Sequence, residues 1–202
     1  MLFQEYKFSQ KLFSDKNVLE IGCNQGLTTI QISKFAKTVT AIDNNKTHIN
    51  YAKKEKIKKN IKYLQVDFFD KKQMSSLGKF EIIYLREIFN FLEIKKKEEL
   101  IEILQENLSN NGKIIVTDFY SHVFFRKRII NFIKLNFKKS FNDEEKAKIY
   151  HFKNNNDLKN FFLKYKMNFS IFKKDPLTEH IKFLTKLVEF IYPCKYTIIL
   201  TK

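Results

Sequence analysis

Val18-Leu-Glu-Ile-Gly-Cys-Asn-Gln-Gly26, with Leu27 to Ala36 and Thr38-Val-Thr-Ala-Ile-Asp43 directly behind it, is the stretch that decides the fold. Asn17 to Ile21 is a short apolar run stopped by Gly22, the signal of a buried strand. Ile30, Ile32 and Phe35 are spaced for one face of a helix over 28–36, and the β-branched run 38–42 predicts a second strand ending at Asp43. A strand, a turn, a helix and a strand in so few residues predict a βαβ unit with parallel strands.

Working outward, the alternation continues. Residues 48–59 are helix-like, Ile61 to Val66 is a strand ending at Asp67, and Phe80 to Leu85 is a fourth strand. A helix over 96–108 places Leu100, Ile101, Ile103, Leu104 and Leu108 on its apolar side. Asn110-Asn111-Gly112 predicts a turn, and Lys113 to Thr117 a fifth strand ending at Asp118. After a different, basic segment, the spacing predicts a helix over 156–166, a strand over 169–172, a helix over 180–191 and a closing strand over 196–200. The expected class is α/β, a doubly wound, mostly parallel seven-stranded sheet with a helical cap segment. In such sheets ligands bind beyond the carboxyl ends of the strands. Those ends read Glu20-Ile-Gly22, Asp43, Asp67, Leu85-Arg86-Glu87 and Asp118, so the polar residues collect on one edge.

The 202 residues suffice for one domain with a proper core. We expect a single domain over 1–202: a cofactor-binding half over 1–118, a substrate and cap region over 119–192, and a closing strand over 193–202. The net charge of +16 suggests a nucleic acid or an anionic membrane surface as partner. Yet Arg86, Arg126 and Arg128 are the only arginines among 38 basic residues, and the forked guanidinium is the preferred reader of phosphate and guanine. Residues 119–202 hold 18 of those 38 but only 7 of the 22 acidic residues, so the excess lies mostly outside the βαβ half. Met1 to Lys16 shows no apolar core of a signal peptide, and no stretch matches a membrane span, so a soluble cytoplasmic protein is expected. Cys23 and Cys194 lack the spacing of a disulfide framework or a zinc site.

The chemistry gathers at the first turn. Gly22 lets the chain turn sharply and a ligand approach the backbone, and Gly26 offers the same approach from the other side at the start of a helix. The spacing is not that of a dinucleotide-binding loop, because Asn24 stands where its second glycine belongs. Glu20, Asp43 and Asp67 make the edge acidic, which suits a ligand with hydroxyls, an amine and a positive centre and disfavours a phosphorylated one.

These stretches resemble the class I S-adenosylmethionine-dependent methyltransferases, in particular small-molecule members of the type 11/12-like group. Leu19 to Gly26 looks like the glycine-rich first motif, Thr40-Ala-Ile-Asp43 like the ribose-binding end of strand two, and Gln65-Val-Asp67-Phe68 like the adenine-binding motif. Phe80 to Leu92 is similar to the strand-four motif, and Asn111-Gly112-Lys-Ile-Ile-Val to the turn and strand five. The resemblance implies S-adenosyl-L-methionine as cofactor, with Glu20, Gly22, Asn24 and Gly26 holding its methionine part. It implies Asp43 and Asn44 at the ribose, Asp67 and Phe68 at the adenine, and Arg86 bordering the reacting centre. Lys166-Met-Asn168-Phe169 departs from the pattern in lacking the glycine often found before strand six.

In-line transfer of the sulfonium methyl asks the protein mainly for alignment and desolvation, and for a base only where the acceptor must lose a proton. His122, just past strand five, is the candidate catalytic base, and Glu87 the second. A solvent-facing helix N-terminal position is the alternative for each. His48, His151 and His180 lie in or near helical segments and read as structural, and Cys23 as packed. The expected partner is a small-molecule or lipid-like methyl acceptor. Phe124 to Lys139, with Phe125, Ile129, Phe132, Ile133 and Phe137 on one face, is either a lid, a membrane-surface helix or an ordinary packed helix. An RNA methyltransferase using the basic last third, and a non-catalytic cofactor-binding protein, are the alternatives. Against RNA stands Tyr84-Leu-Arg-Glu87, which is not the Asn/Asp-Pro-Pro-aromatic motif of exocyclic-amine methylating families.

Overall fold

The computed structural model describes residues 10–119, 152, 155–165, 167–174 and 195–201. In chain order the elements are β1 (Asn17–Ile21), α1 (Leu27–Ile32), β2 (Thr38–Asp43), α2 (Lys46–Glu55), β3 (Ile61–Gln65), α3 (Lys71–Ser76), β4 (Phe80–Arg86), α4 (Ile94–Glu106), β5 (Leu108–Phe119), α5 (Asn155–Leu163), β6 (Asn168–Lys174) and β7 (Lys195–Thr201). A 3-10 turn, Phe89–Phe91, links β4 to α4. The seven strands form one sheet in the order β3-β2-β1-β4-β5-β7-β6. All pairs up to β5 are parallel, and β7 runs antiparallel to both β5 and β6. The expected doubly wound, mostly parallel seven-stranded sheet is what the chain forms.

β1 is central because its residues suit burial on both faces. Leu19 and Ile21 join Ile83, Leu85, Ile114 and Val116 in a core closed by Met74 of α3, by Leu100, Ile101, Ile103 and Leu104 of α4, and by Leu158, Phe161 and Phe162 of α5. On the opposite face Val18, Val39, Ala41, Tyr63, Ile82, Tyr84 and Ile115 pack under Ile32 of α1 and Ile49 and Ala52 of α2. Phe13 closes that second core edge-to-face on Tyr84, ring centroids 5.6 Å apart. A fully buried Leu or Ile contributes roughly 1.5–3 kcal/mol of transfer free energy, so the double-sided burial of β1 holds the centre of the sheet.

Local chemistry sets the helix starts. The Asn45 side chain accepts from the backbone N–H groups of Thr47 and His48 to cap α2, and Asp70 accepts from Gln73 to cap α3. α1 stops at Ile32, short of the expected 36, where the Ser33 hydroxyl donates back to the Ile30 carbonyl at 3.0 Å. α3 was not expected. The turn at 110–112 is a bulge inside β5: Phe80 pairs with Leu108 and Ile82 already with Lys113, with Asn111 left-handed at φ 62°. No helix among the described residues is long and apolar enough to cross a membrane. His122 and the segments 124–139 and 180–191 lie outside the described residues.

Candidate cofactor site at the switch of strand order

Strand order reverses between β1 and β4, and the registers level their carboxyl ends. Ile21 pairs with Ile42 on one side and Leu85 on the other, Asp43 pairs with Gln65, and Arg86 with Thr117. Gly22, Asp43, Gln65, Arg86 and Thr117 therefore follow one line across five strands. In an open α/β sheet this line borders the ligand crevice.

The first turn is built from left-handed residues: Gly22 at φ 67°, Asn24 at 49° and Gly26 at 77°. Its backbone is tied to β2. The Cys23 N–H donates to the Ile42 carbonyl and the Asn24 N–H to Asp43 Oδ2, both at 2.9 Å. A Cβ on Gly22 would sit 2.7 Å from Ile88 Cδ1, and one on Gly26 would sit 2.6 Å from the Tyr63 hydroxyl. The space that these glycines leave is thus taken by side chains of the chain itself, Ile88 from the β4–α4 loop and Tyr63 from β3. The sequence alone suggested ligand approach as their reason; the structure adds packing.

Asp43 is the hub of the edge. Oδ2 accepts from Asn24 and Oδ1 from the Asn45 N–H at 2.9 Å, with His48 Nδ1 3.6 Å from Oδ1. An ionised carboxylate offers about four acceptor positions, so two backbone bonds leave capacity for more. Asn44 is exposed beside it, and its carbonyl accepts from Gln65 Nε2 at 3.2 Å. Asp67 is exposed after β3, its Oδ1 accepting from the Phe69 N–H at 2.9 Å, and Phe68 is half-buried against Phe69.

Glu20 differs from these. It is 3% exposed, and its Oε2 has no hydrogen-bond partner among the described residues. Burial pushes its carboxyl up to about 7, against the opposing pull of the Thr29 hydroxyl and the Arg86 guanidinium. Arg86 donates from Nη1 to the Thr28 hydroxyl at 3.3 Å and from Nε to Glu87 Oε1 at 3.2 Å. Glu87 is itself left-handed at φ 56°, its N–H donating to the Thr117 carbonyl at 2.8 Å. Burial likewise drives the Cys23 thiol far above its usual range, which agrees with a packed cysteine.

All nine candidate binding residues, from Glu20 to Arg86, thus lie on the carboxyl edge of β1 to β4. The structure also gathers residues that the sequence did not single out. Thr28 and Thr29 lie against Arg86 and Glu20, Gln65 is level with Asp43, and His48 of α2 stands beside Asp43. Only the register and the capping of α2 by Asn45 bring these together.

A second polar cluster lies at the ends of β4 and β5. Asp118, fully buried, accepts from the Asn90 N–H at 3.0 Å and from the Asn90 side-chain amide. Lys97 of α4 is also fully buried and donates to the Leu92 carbonyl. Its ammonium lies 5.4 Å from the Phe152 ring centroid.

Comparison with known proteins places this geometry. A family profile described as a methyltransferase domain matches residues 12–175. TehB of Haemophilus influenzae (strain 10810), assigned as an S-adenosyl-L-methionine-dependent methyltransferase, is 26% identical over 102 residues, which are 50% of this chain and 35% of that protein. The chain thus spans about a third of the length of that curated relative. Among solved structures, one from Listeria monocytogenes assigned to the S-adenosylmethionine-dependent methyltransferases superposes with a TM-score of 0.67 at 17% identity, covering 99% of this chain and 97% of that one. Magnesium protoporphyrin IX methyltransferase from Synechocystis PCC 6803, with bound SAH, gives 0.67 at 10% identity, covering 98% and 80%. These two show the fold. The profile match extends over most of the chain, and the chain belongs to the methyltransferase domain family.

Proposed function

We propose that the chain is an S-adenosylmethionine-dependent methyltransferase acting on a small-molecule or lipid-like acceptor. The observation that carries this reading is the levelled edge, with a buried carboxylate at Glu20 whose Oε2 has no hydrogen-bond partner among the described residues, two residues before the glycine turn, and a carboxylate hub at Asp43 on the neighbouring strand. The residues present fit the cofactor. Glu20 Oε2 has no hydrogen-bond partner among the described residues, and the ammonium of the methionine part would supply one. Asp43 retains acceptor capacity for ribose hydroxyls, with Asn44 beside it. Asp67 is placed to accept from the adenine amine and Phe68 to pack on the ring. Gly22, Asn24 and Gly26 shape the turn that would hold the methionine part, and Arg86 would border the reacting end.

The cofactor, when bound, supplies an activated methyl group on a sulfonium. The chain's own residues then bind and orient. Asp43 and Glu20 would hold the ribose and the ammonium, and Ile88 of the β4–α4 loop packs against Gly22. Alignment of this kind is worth about 7–11 kcal/mol of barrier in favourable cases. His122, or Glu87 where the acceptor must lose a proton, would serve as base. The acceptor would be selected by residues 119–192, whose basic character favours an anionic or membrane-associated one.

Titration calorimetry with S-adenosylhomocysteine tests this. Asp43→Asn keeps the size of the side chain but removes its charge and half of its acceptors. Loss of a charge-assisted hydrogen bond costs about 1.5–3 kcal/mol, so affinity should fall roughly ten- to a hundredfold. Unchanged affinity would overturn the assignment of the site. Binding without methyl transfer to any acceptor in a metabolite extract would favour a non-catalytic cofactor-binding protein, and transfer into RNA would move the acceptor class.

A further inference from the structure

Glu20 occupies the middle of a cross-strand row: it pairs with Ala41 of β2 on one side and with Tyr84 of β4 on the other, while Ala41 pairs in turn with Tyr63 of β3. The Tyr63 hydroxyl lies against Gly26 and donates to the Lys56 carbonyl at 3.2 Å. The titratable and charged groups that act on this buried pocket are Arg86 from β4, Cys23 from the first turn, Tyr63 from β3 and Asp43 from β2. Arg86 is the cation that acts on Glu20, and two of its N–H groups donate to Thr28 and Glu87. Glu20 Oε2 has no hydrogen-bond partner among the described residues. A buried carboxylate in this setting has two ways to lower its energy: it takes up a proton, or it meets a cation.

We propose that cofactor binding is coupled to release of a proton from Glu20, so that the site selects ligands bearing an ammonium group and loads them less readily as the pH falls. The proposal rests on the reading of the edge as an S-adenosylmethionine site and adds its regulation. Burial pushes the Glu20 carboxyl up to about 7. Arrival of the ammonium favours the ionised form, and the proton passes to solvent with no other bond made or broken. His48 stands 3.6 Å from Asp43 Oδ1 on the same edge, and its substitution serves as the control.

The experiment is titration of the full chain with S-adenosylhomocysteine in buffers of different ionisation enthalpy. Nearly one proton should be released at about pH 6, about half at pH 7 and little at about pH 8. The apparent affinity should fall roughly tenfold between about pH 8 and pH 6, as the ionised fraction of Glu20 falls. Glu20→Gln should abolish the proton release, whereas His48→Gln should leave it in place. In the unaltered protein 5′-methylthioadenosine, which has the ribose and adenine but no ammonium, should bind without releasing a proton. Buffer-independent heats across this range, or equal release with 5′-methylthioadenosine, would overturn the proposal while leaving the cofactor site standing. Failure of S-adenosylhomocysteine to bind at any of these pH values would instead overturn the reading on which it rests.

Discussion

Two carboxylates are buried at the same edge of the sheet and handled in opposite ways. Asp118, at the end of β5, is enclosed by donors from its own chain: the backbone N–H and the side-chain amide of Asn90. The Lys97 ammonium is near enough for Asp118 to pull its pKa upward, although burial prevails and brings it down to about 8. Glu20, near the end of β1, is as deeply buried but has an oxygen with no partner among the described residues. Burying a polar group without a partner is costly, so a chain that satisfies Asp118 and leaves Glu20 open is using the two differently. Asp118 holds the 3-10 turn and the β4–α4 loop to the end of β5. Glu20 holds an incomplete interaction that a ligand finishes, at a cost to the empty protein.

Asp118→Ala should give the largest effect, because it leaves two buried Asn90 donors without their acceptor. Each buried donor left unpaired costs about 1–3 kcal/mol, to be read from urea unfolding at neutral pH. A smaller loss than that of Glu20→Ala under the same conditions would break the comparison. The next effect has the opposite sign. Glu20 has a folded-state value of about 7 against an ordinary 4.5, so the folded protein holds this proton more tightly than the unfolded chain. Its stabilising contribution is present below about pH 4.5 and is lost as pH rises through 7. The unaltered protein should lose about 3 kcal/mol relative to Glu20→Gln between those limits, measured by denaturant unfolding over a pH series. Parallel curves would show that Glu20 is satisfied after all. The smallest effect belongs to Arg86→Met. The half-exposed Arg86–Glu87 pair is worth about 0–1 kcal/mol, so stability should change little. Loss of the guanidinium should nevertheless move the midpoint of Glu20 proton release to higher pH, which calorimetry can follow.

Much of the parallel sheet was legible because buried strands leave a simple trace. β1 has the bounds read from its apolar run, and β2, β3 and β4 end within a residue of Ile42, Val66 and Leu85. α3 was invisible, since Lys-Lys-Gln-Met-Ser-Ser offers one apolar residue and its helix is held by the Asp70 cap and the burial of Met74. Lys97 was legible in retrospect: it precedes Leu100 and Ile101 by three and four residues and so continues their stripe, which only its charge argued against. The candidate site was legible as a series of polar strand ends, while His48, Gln65, Thr29 and the Asn90–Asp118 pair were not. Their partners are 5 to 28 residues away and meet through register or a loop.

By itself the sequence determined which residues end each strand, that these ends are acidic up to Asp67, and that glycine and asparagine stand where the first turn becomes left-handed. Those are properties of residue type and spacing, and they survive any small change of packing. The tertiary structure alone decided which of the buried carboxylates is satisfied. Whether a charge inside a protein is stable depends on the few donors within hydrogen-bond reach, and that distance is set by how β1, β4 and β5 align and by which helix covers them.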